Sequence, residues 1–203
     1  MRRLVYFIHV DMNNMYGFKG EVTQKYSASL FPYFTELFNA LPLGYIIQDA
    51  VFVCHGGLGE GMKMSDLKDI KRFNQPKDTN MVSLLWSDPA DAMGATPSKR
   101  GAGIGFGEDI TSAFLKTHGL SLLIRSHEMK EAGYEIVHDG QCITVFSAPN
   151  YCDQMGNKGA VVQFSHEQRD GFGKYNGLYG WIEQFEAVAH PNVKAMAYAP
   201  QFQ

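Results

Sequence analysis

Read as a pattern of apolar and polar positions, the chain opens with helical spacing and ends with alternation. Val22, Tyr26, Leu30, Phe34, Leu37 and Phe38 recur at intervals of mostly three or four between residues 21 and 40, which predicts one buried helical face. Pro32 lies inside that stretch and removes a backbone donor, so two shorter helices or a kink near Phe31 are expected. Tyr45–Ile47 and Val51–Cys54 read as strands around Asp49-Ala50, and the second stops abruptly at His55-Gly56-Gly57. A short helix is expected over Ser65–Phe73 with Ser65 as its cap, and residues 87–105 read as a long irregular loop of the kind that carries function. Ile110, Ala113, Phe114 and Leu115 form another helical face. Lys116 and His118 sit in its last turn and Gly119 where a left-handed cap belongs. Leu120–Ile124, Tyr134–Val137, Gln141–Phe146 and Ala160–Phe164 complete a strand-rich second half, with turns such as Asp139-Gly140 between them. The opening residues Leu4–Ile8 read as a further strand. No internal repeat or linker divides the chain, so residues 1–203 are read as a single domain of mixed α/β (α+β) class.

Composition narrows the function classes. At 203 residues, a single core can bury roughly 70% of the unfolded chain's surface. The 14 Phe and 10 Tyr residues supply a packed interior, and 45% apolar content excludes a disordered chain. A formal net charge of -3 without a basic stripe argues against nucleic acid as partner. No apolar run approaches the roughly 20 residues that span a bilayer, and His9 and Asp11 cut short the apolar opening, so neither membrane nor secretion is expected. Cys54, Cys142 and Cys152 are odd in number and show no CxxC spacing. They read as reduced thiols, which places the chain in the cytoplasm or nucleus.

The candidate chemistry sits at strand ends. Val51–Cys54 runs into His55, and Leu122–Ile124 runs into Arg125-Ser126-His127-Glu128. A strand fixes the direction of its last side chain while the following loop leaves room for a ligand. Each histidine alone reads either as a hydrogen-bonded strand-end residue or as a ligand; two built on one plan favour a metal. The glycines after His55 are expected to let backbone approach a bound ion or phosphate. Ser98-Lys99-Arg100-Gly101 offers a planar guanidinium to phosphate oxygens, or else a solvated surface pair. Ser147-Ala148-Pro149-Asn150-Tyr151-Cys152-Asp153 suits a rigid loop projecting a phenol or a thiol, or a structural turn. Trp86 reads as core and Asp88 as a turn initiator before proline.

Five ordered strings carry a specific resemblance: Val-Phe-Val-Cys-His-Gly-Gly-Leu (51–58), Leu-Leu-Trp-Ser-Asp-Pro (84–89), Ser-Lys-Arg-Gly (98–101), Ile-Arg-Ser-His-Glu (124–128) and Phe-Ser-Ala-Pro-Asn-Tyr-Cys-Asp (146–153). In order and spacing they resemble the phosphoprotein phosphatase family of metallophosphoesterases, and the segment from His190 to Tyr198 resembles its type-five branch. The likeness runs from about Asn13 to Ala199. It implies a central β-sandwich flanked by helices. It also implies two divalent metal ions (manganese, iron, zinc or magnesium) that activate water for in-line attack on phosphoserine or phosphothreonine in phosphoprotein substrates, with regulatory proteins as further partners. Matched position by position, His55 and His127 correspond to metal-ligand histidines, Arg100 to a phosphate-holding arginine and Tyr151 to the aromatic wall of the cleft. Cys152 falls in the loop that binds toxin inhibitors in this family. The family's Asp-x-His, aspartate/Arg-Gly and Gly-Asn-His-Glu motifs have no counterpart here, and His9 and Asp11 do not reproduce their spacing. The expectation is therefore an N-terminally truncated catalytic domain: either a phosphatase, or a catalytically impaired phosphatase-like binding module or incomplete gene product.

Overall fold

The computed structural model describes residues 10–15, 17–73, 77–190 and 192. The expected strand over residues 4–8, His9 and most of the 190–198 segment lie outside them. Three helices open the described chain: α1 (Val10–Met15), α2 (Phe18–Lys25) and α3 (Phe31–Ala40). The break foreseen near Pro32 falls between α2 and α3, and Pro32 occupies the first turn of α3, where its missing N–H costs nothing. The expected continuous stripe is corrected. Phe31, Phe38 and Val22 are buried, but Tyr26 and Leu37 are exposed, because the break rotates the second helix out of phase with the first. Phe18 of α2 reaches across to α3, standing edge-on to Phe34 at 5.4 Å and tilted against Phe38 at 5.6 Å.

The centre is a five-stranded mixed sheet built from β1 (Gly44–Ile47), β2 (Val51–Cys54), β6 (Leu122–Arg125), β7 (Tyr134–Val137) and β8 (Cys142–Val145), in the order β1-β2-β6-β8-β7. β2, β6 and β8 run parallel, and hairpin partners β1 and β7 close the two edges antiparallel. All four residues of β2 and of β6 are buried, as strands covered on both faces require. One face, through Phe52, Cys54, Leu123 and Cys142, packs on α4 (Met64–Lys68), α5 (Thr79–Trp86) and α6 (Glu108–His118). The other, through Val51, Val53, Leu122, Ile124 and Ile143, packs on a three-stranded antiparallel sheet of β9 (Gly159–Ser165), β10 (Gly173–Tyr175) and β11 (Leu178–Phe185). This is the β-sandwich with flanking helices that the resemblance implied.

Several local expectations change. The helix read over Ser65–Phe73 is the single turn α4, with Lys63 rather than Ser65 at its cap. Helix α5 was not foreseen; Asp78 caps it, accepting from the Asn80 and Met81 N–H groups at 2.9 and 3.0 Å. Residues 87–105 are not irregular. They fold into β3 (Asp88–Pro89), β4 (Ala95–Pro97) and β5 (Ile104–Phe106), a small sheet with β5 in the middle. Strands β10 and β11 also escaped the alternation pattern. Gly119 does cap α6, at φ 65°, and its N–H returns to Leu115 and Lys116 carbonyls.

Candidate metal and phosphate site

Parallel pairing of β2 with β6 aligns Val53 with Ile124, so the loops that leave both strands emerge at one edge of the sheet. The Ser126 N–H donates to the His55 carbonyl at 3.0 Å and ties these loops together. The His55 and His127 rings therefore meet, centroid to centroid, at 5.1 Å. His55 is buried at 1% exposure, and the His127 ring stands edge-on to Trp86 at 5.6 Å. His127 takes a left-handed backbone, φ 68°, unusual for a residue with a Cβ and frequent at sites where function overrides local preference.

Gly56 and Gly57 serve packing rather than ligand approach, which corrects the sequence reading. A Cβ on Gly56 would stand 2.5 Å from the Leu85 carbonyl carbon and the Trp86 nitrogen, and one on Gly57 would enter the Phe106 ring. Their N–H groups donate to the Leu84 and Ser83 carbonyls at 2.6 and 3.1 Å, so the loop after His55 satisfies the open end of α5.

Arg125, which the sequence reading passed over, holds the site together. Its guanidinium is fully buried and donates from Nε to the Gly56 carbonyl (2.6 Å), from Nη1 to Glu128 Oε2 (2.9 Å), and from Nη2 to the Ser87 carbonyl (3.0 Å) and Asp88 Oδ1 (2.5 Å). A buried cation is tolerated only when paired and hydrogen-bonded in this way. One side chain thus links the His55 loop, the end of α5 and the His127 loop. The available signal was a charged residue ending an apolar strand, directly before Ser126-His127.

Asp88 is the second residue that changes role. Far from a bare turn initiator, it meets Arg125 and faces His127 Nδ1 at 3.3 Å through Oδ1, while Oδ2 accepts from Arg100 Nε at 2.5 Å. Burial alone would raise its pKa, but the His127 and Arg100 contacts and the Arg125 charge outweigh it, and the carboxyl is held well below the usual range. Burial pushes the His127 imidazole down despite the pull of Asp88, which favours the neutral ring. Arg100 is exposed and uses only Nε on Asp88, so its two terminal amino groups point no further bond at described residues.

Tyr151 and Cys152 are placed by a different loop, the one after β8. The Tyr151 ring packs edge-on against Phe146 at 5.6 Å, and its N–H donates to Asn157 Oδ1 at 2.8 Å. Cys152 is exposed with φ 58°. A cavity of about 460 Å³ opens beside Asp88 and Glu128, walled by Lys130, Glu135 and His138; neither histidine of the pair lines it.

The donor set fits a metal in part. An imidazole ligand ordinarily directs its other nitrogen to a carboxylate; Asp88 Oδ1 lies 3.3 Å from His127 Nδ1 but makes no hydrogen bond of good geometry with it. Two imidazoles are fewer than the three or four protein ligands of a single zinc site. Among the described residues no group of three or more His, Cys, Asp or Glu side chains is disposed to hold a metal.

The sandwich with strand-end histidines agrees with the family that the sequence shows: the chain belongs to the calcineurin-like phosphoesterase family, whose sequence profile matches residues 8–131. Within that family its relatives are serine/threonine phosphatases of the type-five kind. It is 52% identical over 195 residues to serine/threonine-protein phosphatase 5 of Solanum lycopersicum, covering 95% of this chain and 34% of that protein. It is 47% identical over 192 residues to the Homo sapiens protein of the same name, covering 93% and 37%. It is 48% identical to serine/threonine-protein phosphatase T of Trypanosoma brucei brucei, covering 95% and 40%. The solved structure of a Saccharomyces cerevisiae protein serine/threonine phosphatase with similarity to human phosphatase PP5 superposes with a TM-score of 0.81 at 41% identity, over 94% of this chain and 61% of that one. The chain spans 34% to 40% of the length of these curated relatives.

Proposed function

We propose that this chain is the carboxyl-terminal part of a protein serine/threonine phosphatase catalytic domain, acting on phosphoserine and phosphothreonine in proteins. The observation that carries this is the convergence of His55 and His127 at 5.1 Å, with Asp88 joined both to His127 and to Arg100. When bound, divalent metals of the family supply an activated water for attack on phosphorus. This chain's own residues do the rest of what is assigned to it here. His55 and His127 present their imidazoles at one edge of the sheet, burial favours the neutral form of His127, and Asp88 lies 3.3 Å from its Nδ1. Arg100, steadied at Nε, turns its remaining donors to phosphate oxygens. Tyr151 and Cys152, on the loop after β8, take the cleft-wall and rim roles that the family resemblance assigns to them. Phosphoproteins are the partners proposed, with neither nucleic acid nor membrane involved. The unbonded Cys54 and Cys142 support a cytoplasmic or nuclear setting, and among the described residues no helix is long and apolar enough to cross a membrane.

A second reading, a phosphatase-like module that binds phosphoproteins without turnover, is favoured by the two-imidazole donor set. Manganese titration by calorimetry separates the readings. A stoichiometry of two metals per chain, lost in His127→Ala, supports the enzyme. One metal or none supports the module, and binding unchanged in both His55→Ala and His127→Ala removes the metal role from this edge of the sheet.

A further inference from the structure

Among the described residues, strand β1 is the outer strand of the five-stranded sheet and is hydrogen-bonded only to β2, so no described strand pairs with the backbone groups on its far side. Beside that edge lies a mostly apolar groove of about 490 Å³, lined by neither His55 nor His127. Its floor is Phe52 and Leu84 of the core, its far wall Met64, Leu67 and Ile70, and its near wall Ile46 of β1. Ile46 and Tyr45 leave 45% and 56% of their surface in water. Gly44 keeps the strand close to this floor: a Cβ there would stand 2.9 Å from the Val53 carbonyl and 3.1 Å from the Phe52 ring. The charged side chains of the lining are both cations, Lys68 and Arg72. Arg72 is fixed at the rim by two bonds from Nη1 to the Ala40 and Leu41 carbonyls, at 2.9 and 2.7 Å.

An open strand edge, an apolar trough on one face of it and a cationic rim make a specific demand on an occupant. We propose that this edge docks an extended peptide of alternating apolar and acidic residues, added to the sheet as a sixth strand next to β1. Main-chain bonds to β1 give such a peptide its register. Every second side chain then falls on the trough side, and carboxylates reach Lys68 and Arg72. Basic or helical partners fit poorly, the first because of the rim charges and the second because the open groups of β1 would stay unpaired.

The experiment uses the full chain and a fluorescein-labelled heptapeptide of alternating Glu and Val, followed by fluorescence anisotropy. Saturable binding is expected. Exchanging Glu for Lys in the peptide should weaken it at least about tenfold, since attraction to two cations becomes repulsion. Replacing the central Val by Pro, which removes a ladder donor, should weaken it similarly. Lys68→Glu and Ile46→Glu in the protein should each reduce affinity, while Arg100→Ala should leave it unchanged. Both protein substitutions are at exposed positions, and an unshifted thermal midpoint shows that each variant is folded; if one is not, the other decides. Equal affinity for the Glu and Lys peptides, tolerance of the proline, no binding, or loss of binding with Arg100→Ala would each overturn the proposal. So would sedimentation showing that the chain self-associates without peptide and that Ile46→Glu abolishes this, because the occupant would then be a second copy.

Discussion

Arg125 and Asp88 form an ion pair at 2.5 Å in which the guanidinium has no exposure to solvent, and the same carboxylate faces His127 and holds Arg100. Replacing Arg125 by Met removes a buried cation and leaves the Gly56 and Ser87 carbonyls without their donors. Breaking a buried pair from one side costs about 3–5 kcal/mol, and urea unfolding should show a loss of that order. Arg125→Lys keeps the charge without the planar fork and should recover only part of it.

The strands were legible because burial follows period: β2 and β6 are continuous apolar runs, and a doubly covered parallel strand is the arrangement that permits this. The pairing of His55 with His127 followed from their common strand-end position, since parallel neighbours bring their carboxyl ends together. Arg125 and Asp88 were not legible as a pair. They lie 37 positions apart, and nothing local says that a strand-end arginine turns inward or that an aspartate before proline answers it. Helix α5 hid although Pro89 stands just past its end, because the eight residues Thr79–Trp86 are too few for an apolar period to stand out. The β3–β5 sheet consists of strands of two or three residues, too short for any period to show.

Gly56→Ala tests whether the tight contact with α5 positions His55. The added methyl would meet backbone at 2.5 Å, which cannot swing aside as a side chain can. A loss of about 1–3 kcal/mol is expected from such overpacking. The displaced loop should also shift the His55 ring signals in a heteronuclear NMR spectrum. A variant with wild-type stability and unshifted signals would show that the contact relaxes without consequence.

The cysteines yield a pH prediction. Burial pushes the Cys54 and Cys142 thiols up to about 12, while Cys152 is exposed. In the unfolded chain a thiol ionises around pH 8.5, so between there and 12 the folded state holds protons that the unfolded state has released. Stability is therefore unaffected by these groups below pH 8.5 and falls as pH rises, by up to about 1.4 kcal/mol per pH unit for each thiol. Urea titrations at pH 8.5 and 9.5 should differ by about 2 kcal/mol from this cause, and the Cys54→Ala/Cys142→Ala double variant should lose most of the difference. In native protein at pH 8, a disulfide reagent should modify one thiol quickly, and the fast phase should vanish in Cys152→Ala.

The last prediction concerns turnover by the chain as it stands. With excess manganese and a small aryl phosphate, hydrolysis should stay close to background. The described residues offer two imidazoles, and Asp88 is already committed to Arg125, Arg100 and His127, so it is poorly placed to serve as a bridging ligand. Water would fill the remaining positions around any metal held by the pair, and exchangeable water ligands would not fix its geometry as protein ligands do. No acid among the residues assigned to the site is placed to protonate a departing alkoxide, and general acid assistance alone is worth roughly 10² to 10⁴ in rate. Arg100 should nonetheless hold phosphate, so inorganic phosphate is expected to bind weakly, and Arg100→Ala to abolish that binding. The two measurements separate recognition from chemistry. Metal-dependent turnover that survives His9→Ala but disappears with His127→Ala would sink the prediction, because it would show that a two-imidazole site activates water or that chains complete one another as oligomers.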